Sequence, residues 1–277
     1  MELRESRGQQ SVQTDNDFES RMYGYLPGQS IRIHTLGRFS LQVDQQPITP
    51  AQSRQQKPLE LIQAIISLGG RNVSTDLIGS SLWPDAEGDD AVNAFDVTLH
   101  RTRRLLGYRD AITTQGGRCT INNERVWVDA WIFERLLNQI DRALMLSRGK
   151  VVSRRVAELL SRALELYQGA YLCREPVKPW NLSLRERLRS KLLRHITDIG
   201  EISEQNGHWT AAIQFYQKGL EIDTFAEVLY QRLMICYQHT GHLAEALSVY
   251  QRCRYNLSTG LCIAPSRETE QIRASLY

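Results

Sequence analysis

Three periods divide this chain: two residues, about 3.6 residues, and 34 residues. Ile31–Leu36 (IRIHTL) and Phe39–Val43 (FSLQV) alternate apolar and polar positions around Gly37-Arg38, which predicts a β-hairpin. Pro47-Ile48 adds a short edge strand. Pro58–Leu68 (PLELIQAIISL) is apolar at helical spacing, with Pro in the first turn and Gly69-Gly70 as its stop. Ser74-Thr75-Asp76 supplies an N-cap for a short helix over Leu77–Trp83, which Pro84 ends. Asp85–Asp90 then forms a loop. Its last acids stand at the start of a third helix, Asp90–Leu106, where negative charge favours the helix dipole. After Gly107 the period returns to two. Ala111–Thr114, a turn at Gln115-Gly116-Gly117-Arg118 and Cys119–Ile121 read as a hairpin, and Val126–Val128 closes the sheet.

Strands, three helices and a hairpin, in that order, predict a winged helix, a variant of the helix-turn-helix. The third helix divides cleanly by angle. Ala91, Ala94, Phe95, Thr98, Leu99, Thr102, Leu105 and Leu106 share one face. Asn93, Asp96, Val97, His100 and Arg104 take the other, with Arg101 and Arg103 at its edges. Amide, imidazole and guanidinium groups on a solvent face are the chemistry that reads base edges in a major groove. Asp96 is the exception, since it repels phosphate unless it accepts from a cytosine amine or pairs with Arg103 or Arg104.

From Asp129 onward the chain reads as helical nearly throughout. An offset of 34 pairs Gly207 with Gly241, His208 with His242, Ala212 with Ala246, Tyr216 with Tyr250 and Gln217 with Gln251. This is tetratricopeptide spacing: Gly permits the turn, Ala lets two helices approach, and aromatics fill the groove between them. Ser203 stands where the first repeat would carry an aromatic residue. Ala163–Gln168 forms a weaker upstream copy, 49 residues before the next.

With 277 residues the chain has room for two domains, and 42% hydrophobic and 23% charged residues suit a soluble protein. The expected organisation is a polar disordered tail over 1–28, an α+β winged helix over 29–129 and an all-α, TPR-like domain over 130–277. No apolar run approaches the roughly 20 residues that span a bilayer, and MELRESRGQQSVQTDNDFES has no apolar core of a signal peptide. Five cysteines without a CxxC pair argue against a zinc site or disulfide framework and for a reducing cytoplasm. His239 and His242 flank a Thr-Gly step and read as turn residues, so no metal is expected. The net charge of +3 adds little, and residues 31–129 carry equal numbers of acids and bases. Their order matters more: five acids and no base over Asp85–Asp96, then six arginines against Asp110 and Glu124 over Arg101–Arg125. Arg185, Arg187, Arg189, Lys191 and Arg194 form a second basic run, interleaved with leucines as on an amphipathic helix, which favours packing and solvated charge over another DNA site.

Several stretches together resemble the SARP family (Streptomyces antibiotic regulatory proteins), which joins an OmpR-type winged helix to a bacterial transcriptional activator domain. They are LGRFSLQVD (36–44), LIGSSLWPD (77–85), NAFDVTLHRTRRLLG (93–107) and VWVDAWIFERLL (126–137), followed by LRERLRSKLLRHITDIGE (184–201), YQKGLEIDTFAEVLYQRLMICYQHTGHLAEALSVYQRCR (216–254) and APSRETEQIRASLY (264–277). The resemblance covers about residues 31–274. It implies a DNA-binding regulator of transcription, usually an activator, that acts on promoter repeats, contacts RNA polymerase and works in the cytoplasm on the nucleoid, with a homodimer expected at least on DNA. Carried onto this chain, it sets Asn93, Val97, His100, Arg101 and Arg104 at or near base edges. It sets Arg103 at phosphate and Arg118 at the tip of the wing. Lys57, before a helix N-terminus, and Ser74 or Thr75, at another, are further phosphate candidates. The loop carrying Trp83, Asp85 and Glu87 lies where OmpR-type activators meet polymerase, although its acids also suit helix capping.

No receiver domain is read in this sequence, so nothing indicates control by aspartyl phosphorylation, and no GxxxxGK[ST] phosphate loop marks the ATPase module that larger relatives carry. No metal-spaced ligand set, GxSxG or paired catalytic carboxylates occur either, so no enzyme and no cofactor are expected. The alternative function is a TPR-type protein-interaction scaffold whose winged helix does not read DNA sequence.

Overall fold

In the computed structural model the described residues are 28–48, 56–86, 88–147 and 151–277. Apart from Gly28, the expected tail lies outside them, as does Glu87. By packing, the chain divides into two units: Met1–Arg135 with Leu164–Leu188, and Leu136–Ala163 with Arg189–Tyr277.

In the first unit, β1 (Ile31–His34) runs antiparallel to β2 (Ser40–Val43), and β2 to a two-residue edge strand, β3 (Gln46–Pro47). Alternation buries Ile31, Ile33 and Leu41. The edge strand sits one residue earlier than expected, although the Ile48 amide still donates to the Leu41 carbonyl of β2 at 2.8 Å. β1 also stops short of Leu36, which forms an isolated bridge with Tyr171. The Leu172 amide donates to the Thr35 carbonyl at 2.7 Å, so a segment far along the chain extends this edge.

Helix α1 (Gln56–Ser67) buries Leu59, Leu61, Ile62, Ala64, Ile65 and Ile66. It includes Lys57, which therefore lies in the first turn and not ahead of the helix. Pro58 is accommodated because the first amides of a helix have no intrahelical acceptor to lose. After β4 (Val73–Ser74), α2 (Thr75–Leu82) starts two residues earlier than expected. Ser74 occupies its N-cap position but makes no side-chain cap. Helix α3 (Asp89–Leu106) carries acids in its first turn and arginines in its last, both complementary to the dipole. It buries Phe95, Thr98, Leu99, Thr102 and Leu106 against α1 and α2.

A 3₁₀ turn (Arg109–Ala111) leads into β5 (Ile112–Gln115) and β6 (Arg118–Ile121), joined at Gly116-Gly117. Both glycines have positive φ, 55° and 69°, as a two-residue hairpin turn of the right twist requires. β6 also pairs with β4, which gives a three-stranded wing sheet ordered β4-β6-β5. β7 (Val126–Val128) returns to lie parallel to β1. The chain then enters α4 (Asp129–Leu146), whose first residue is buried. The Asp129 carboxylate accepts from the Thr35 amide at 2.8 Å, the Thr35 hydroxyl at 2.6 Å and the Leu36 amide at 2.9 Å. Burial pushes its carboxyl above the usual range, against the pull of those donors. Tyr171 is fully buried beside this point, with its hydroxyl 2.8 Å from Ser67 Oγ, and Arg185 donates to its carbonyl at 2.7 Å.

The remaining helices are α5 (Arg154–Leu166), α6 (Pro179–Gln205), α7 (Trp209–Ile222), α8 (Glu227–His239), α9 (Leu243–Asn256) and α10 (Arg267–Ala274). In the second unit the 34-residue offset is structural. Gly207 and Gly241 turn the chain at φ 74° and 77°, His208 and His242 precede α7 and α9 as N-caps, and Ala212 and Ala246 are fully buried. Tyr216, Leu220, Leu229, Tyr230, Leu233 and Cys236 form the core between α7 and α8. Ser203 is buried and donates to the Ile199 carbonyl at 2.8 Å, filling the aromatic's place with a helix back-bond. In the upstream copy Tyr167 lies beyond the end of α5, whereas Tyr216 and Tyr250 lie inside α7 and α9. That likeness is one of sequence and not of helical register.

The second basic run is largely paired within its own units. Arg187 bonds Glu134 in the first unit. In the second, Arg189 meets Asp223 at 3.0 Å, and Lys191 and Arg194 share Asp141 at 2.8 and 3.0 Å.

Candidate nucleic-acid interface

The solvent face of α3 follows from its sequence period. With Phe95, Thr98, Leu99 and Thr102 turned inward, Asn93, Asp96, Val97, His100, Arg101 and Arg104 are all exposed. Val97 is 50% exposed, an apolar side chain held in water in the middle of a polar row. His100, Arg101 and Arg104 make no ion pair or side-chain hydrogen bond to the described residues. Their donors are therefore open to a ligand.

Other expected residues are engaged elsewhere. Arg103 is half-buried, and its Nε donates to the Ile112 carbonyl at 2.9 Å, tying α3 to the first wing strand. Arg118 is the first residue of β6, beside the tip and not on it, and it donates to the Asn72 carbonyl at 3.1 Å. Thr75 gives both its amide and its hydroxyl to the Gly117 carbonyl, each at 2.9 Å, so this end of α2 holds the wing turn. Lys57 pairs with Glu60 at 3.0 Å, reaches the Leu82 carbonyl at 3.3 Å and lies 5.7 Å from the Trp83 ring centroid. Trp83 is half-buried beneath that contact, and Asp85 is exposed.

The structure adds Arg109 to these residues. The 3₁₀ turn after α3 brings it to a shallow cavity that it lines with His100, Arg103, Arg104 and Gly107. It is exposed and unpaired among the described residues. The missed signal was its position two residues past Gly107, where a helix stop folds the chain back beside the last turn. Charge on α3 is thus split by position. Asp96 lines a different groove, with Asp76, Asp89, Val92 and the Gly116-Gly117 turn. It makes no pair with Arg103 or Arg104, so the cations stand clear of it.

The described residues hold no group of three or more His, Cys, Asp or Glu placed to bind a metal ion. The buried thiols Cys119, Cys236 and Cys253 are pushed up by burial, to about 11, 12 and 12, which leaves them protonated and unreactive. No helix among the described residues is long and apolar enough to cross a membrane.

Comparison with known proteins bears on the whole architecture. Residues 128–276 match the family described as the bacterial transcriptional activator domain. No curated protein matches the chain. Among solved structures it is similar to Mycobacterium tuberculosis EmbR, determined in complex with a low affinity phosphopeptide, with a TM-score of 0.65 and 17% identity. The likeness covers 89% of this chain and 65% of that one, so this chain spans less than two thirds of its length. At that identity the match establishes shared fold: an α/β winged helix followed by stacked helices. The family match spans more than half of the sequence, and on it the chain belongs to the bacterial transcriptional activator domain family.

Proposed function

We propose that this chain is a sequence-specific DNA-binding activator that engages promoter repeats through α3. The observation that carries this reading is the exposed row Asn93, Val97, His100, Arg101 and Arg104, with no partner for its cations among the described residues. Arg101 and Arg104 donate to guanine edges, Asn93 to adenine, and Val97 meets a thymine methyl. Arg109 and Arg118 contact the backbone, as do Lys57, Ser74 and Thr75 where their protein bonds leave capacity, and Arg103 acts chiefly through the wing. Trp83, Asp85 and Glu87 face RNA polymerase. The winged-helix module runs over 29–129 and the helical module over 130–277. The protein acts in the cytoplasm on the nucleoid, as a homodimer on DNA, because promoter repeats present two like half-sites.

Mobility shifts on genomic promoter fragments test this reading. Specific complexes form, and their affinity falls linearly on a log–log plot against salt with a slope of about −0.9 per phosphate contacted. Equal affinity for every fragment, at every salt concentration, rejects it.

A further inference from the structure

A cavity of about 410 Å³ opens within the first unit, between β2, the first half of α1 and residues 174–181. That volume lies in the range of small-molecule sites. Phe39, Leu41 and Leu59 give it apolar walls. Gln63 also lines it and is 4% exposed. Its carboxamide makes no hydrogen bond to the described residues, and it is not among the side-chain atoms sealed from solvent, so it opens onto the cavity. Trp180, on the wall, is 7% exposed, with its indole N–H buried and lacking an acceptor. The adjacent Asn181 shows the contrast. It accepts from the Lys178 amide at 3.0 Å and donates to the Pro176 carbonyl at 2.9 Å, so its amide is engaged.

Buried amides in folded proteins are ordinarily satisfied. Here one amide is left over on the cavity, while the Trp180 indole N–H is sealed behind its wall. At its mouth Arg38 and Arg174 are exposed and make no ion pair among the described residues, and Lys178 is half-buried beside them. Two carboxylates also line it. Glu60 is held by Lys57 at 3.0 Å, and Glu175 offsets one of the three cations, which leaves the mouth positive. Free guanidiniums above an apolar wall with a buried, unpaired amide suit one chemical class.

We propose that this cavity is a binding site for a small organic carboxylate with an apolar or aromatic body. The carboxylate sits between Arg38 and Arg174, the body lies on Phe39 and Leu59, and Gln63 takes a polar atom at the inner end. The occupant joins β2 and α1 to residues 174–181, so binding stabilises the first unit by mass action. The proposal does not depend on DNA reading and is tested without DNA.

The test is calorimetric titration of the full chain with indole-3-acetate and 1-naphthoate, and with their neutral carboxamides as controls. At least one carboxylate binds with a Kd below about 1 mM. Its carboxamide, and the Arg38→Ala/Arg174→Ala variant, weaken that binding at least about tenfold, as loss of charge-assisted hydrogen bonds requires. Both arginines are exposed, so thermal unfolding of the double variant stays at the wild-type temperature and separates lost binding from lost fold. Gln63→Leu, apolar and of similar size, keeps the fold and also weakens binding. The proposal is overturned if neither carboxylate binds at about 10 mM, or if carboxamide and carboxylate bind alike, or if the double variant binds as wild type.

Discussion

Arg103 donates from Nε to the carbonyl of Ile112 at 2.9 Å, with Nη2 3.4 Å from Thr114 Oγ1. One arginine of α3 is therefore a strut between that helix and the wing, while Arg101 and Arg104 beside it hold no partner among the described residues. Arg103→Ala is expected to lower unfolding stability by about 1 kcal/mol, as loss of a half-exposed charged hydrogen bond does. Arg101→Ala and Arg104→Ala stay within about 0.5 kcal/mol of wild type. Urea denaturation of the three variants checks the contrast, and equal losses in all three would remove the distinction.

The wing turn is held from outside by Thr75. Gly117 has φ 69°, and its carbonyl accepts both the amide and the hydroxyl of Thr75. Gly117→Val strains the turn by about 1–2 kcal/mol and pulls that carbonyl from its donors. Hydrogen exchange at the Thr75 and Cys119 amides then quickens while exchange in α1 is unchanged. Unaltered exchange at Thr75 would mean that the turn does not set this contact.

Much of this architecture was legible in the sequence, for identifiable reasons. The face of α3 follows from its period, because burial of Phe95, Leu99 and Thr102 dictates what remains outside. The Gly-His turns and buried alanines of the repeats follow from a 34-residue offset that few folds produce. What was hidden is where long side chains end. Arg103 and Arg104 are neighbours in an arginine run, yet one meets a strand carbonyl and the other meets solvent. The same holds for Thr75, legible as a capping residue but engaged with a turn 42 residues away. Tyr171 closing the edge beside Leu36 was beyond reach as well, since no local pattern marks a contact across 135 residues of chain.

His195 is fully buried on α6, 3.4 Å from Asp141 Oδ1. Burial pulls it down to about 4 from an ordinary 6.5, with Arg194 and Lys191 adding to the effect and Asp141 and the Leu137 backbone opposing it. Folding thus favours the neutral ring. The contribution is complete above pH 6.5 and is lost as pH falls toward 4, at up to about 1.4 kcal/mol per pH unit. Unfolding free energies of wild type and His195→Leu, measured from pH 7 to 4, are expected to differ in slope, with the variant flatter. Parallel curves would show that the ring does not titrate in this way.

Gly200 packs under Tyr216 in the repeat core. A Cβ at position 200 would lie 2.3 Å from the Tyr216 ring, whose hydroxyl donates to Glu204. Gly200→Ala is expected to destabilise the chain by about 1–3 kcal/mol, despite the helix propensity that Ala adds. A thermal melt at or above the wild-type temperature would contradict this packing.

The central claim is that the exposed, unpaired arginines of α3 read DNA. The most direct measurement is binding of the Arg101→Ala/Arg104→Ala variant to a promoter fragment that the wild type binds specifically, followed by fluorescence anisotropy across a salt series. Each lost bidentate contact to guanine is worth about 1–3 kcal/mol of base discrimination. The account therefore predicts that the variant, folded as judged by an unchanged melt, binds promoter and unrelated DNA alike. Retention of wild-type preference for the promoter by that folded variant would contradict it.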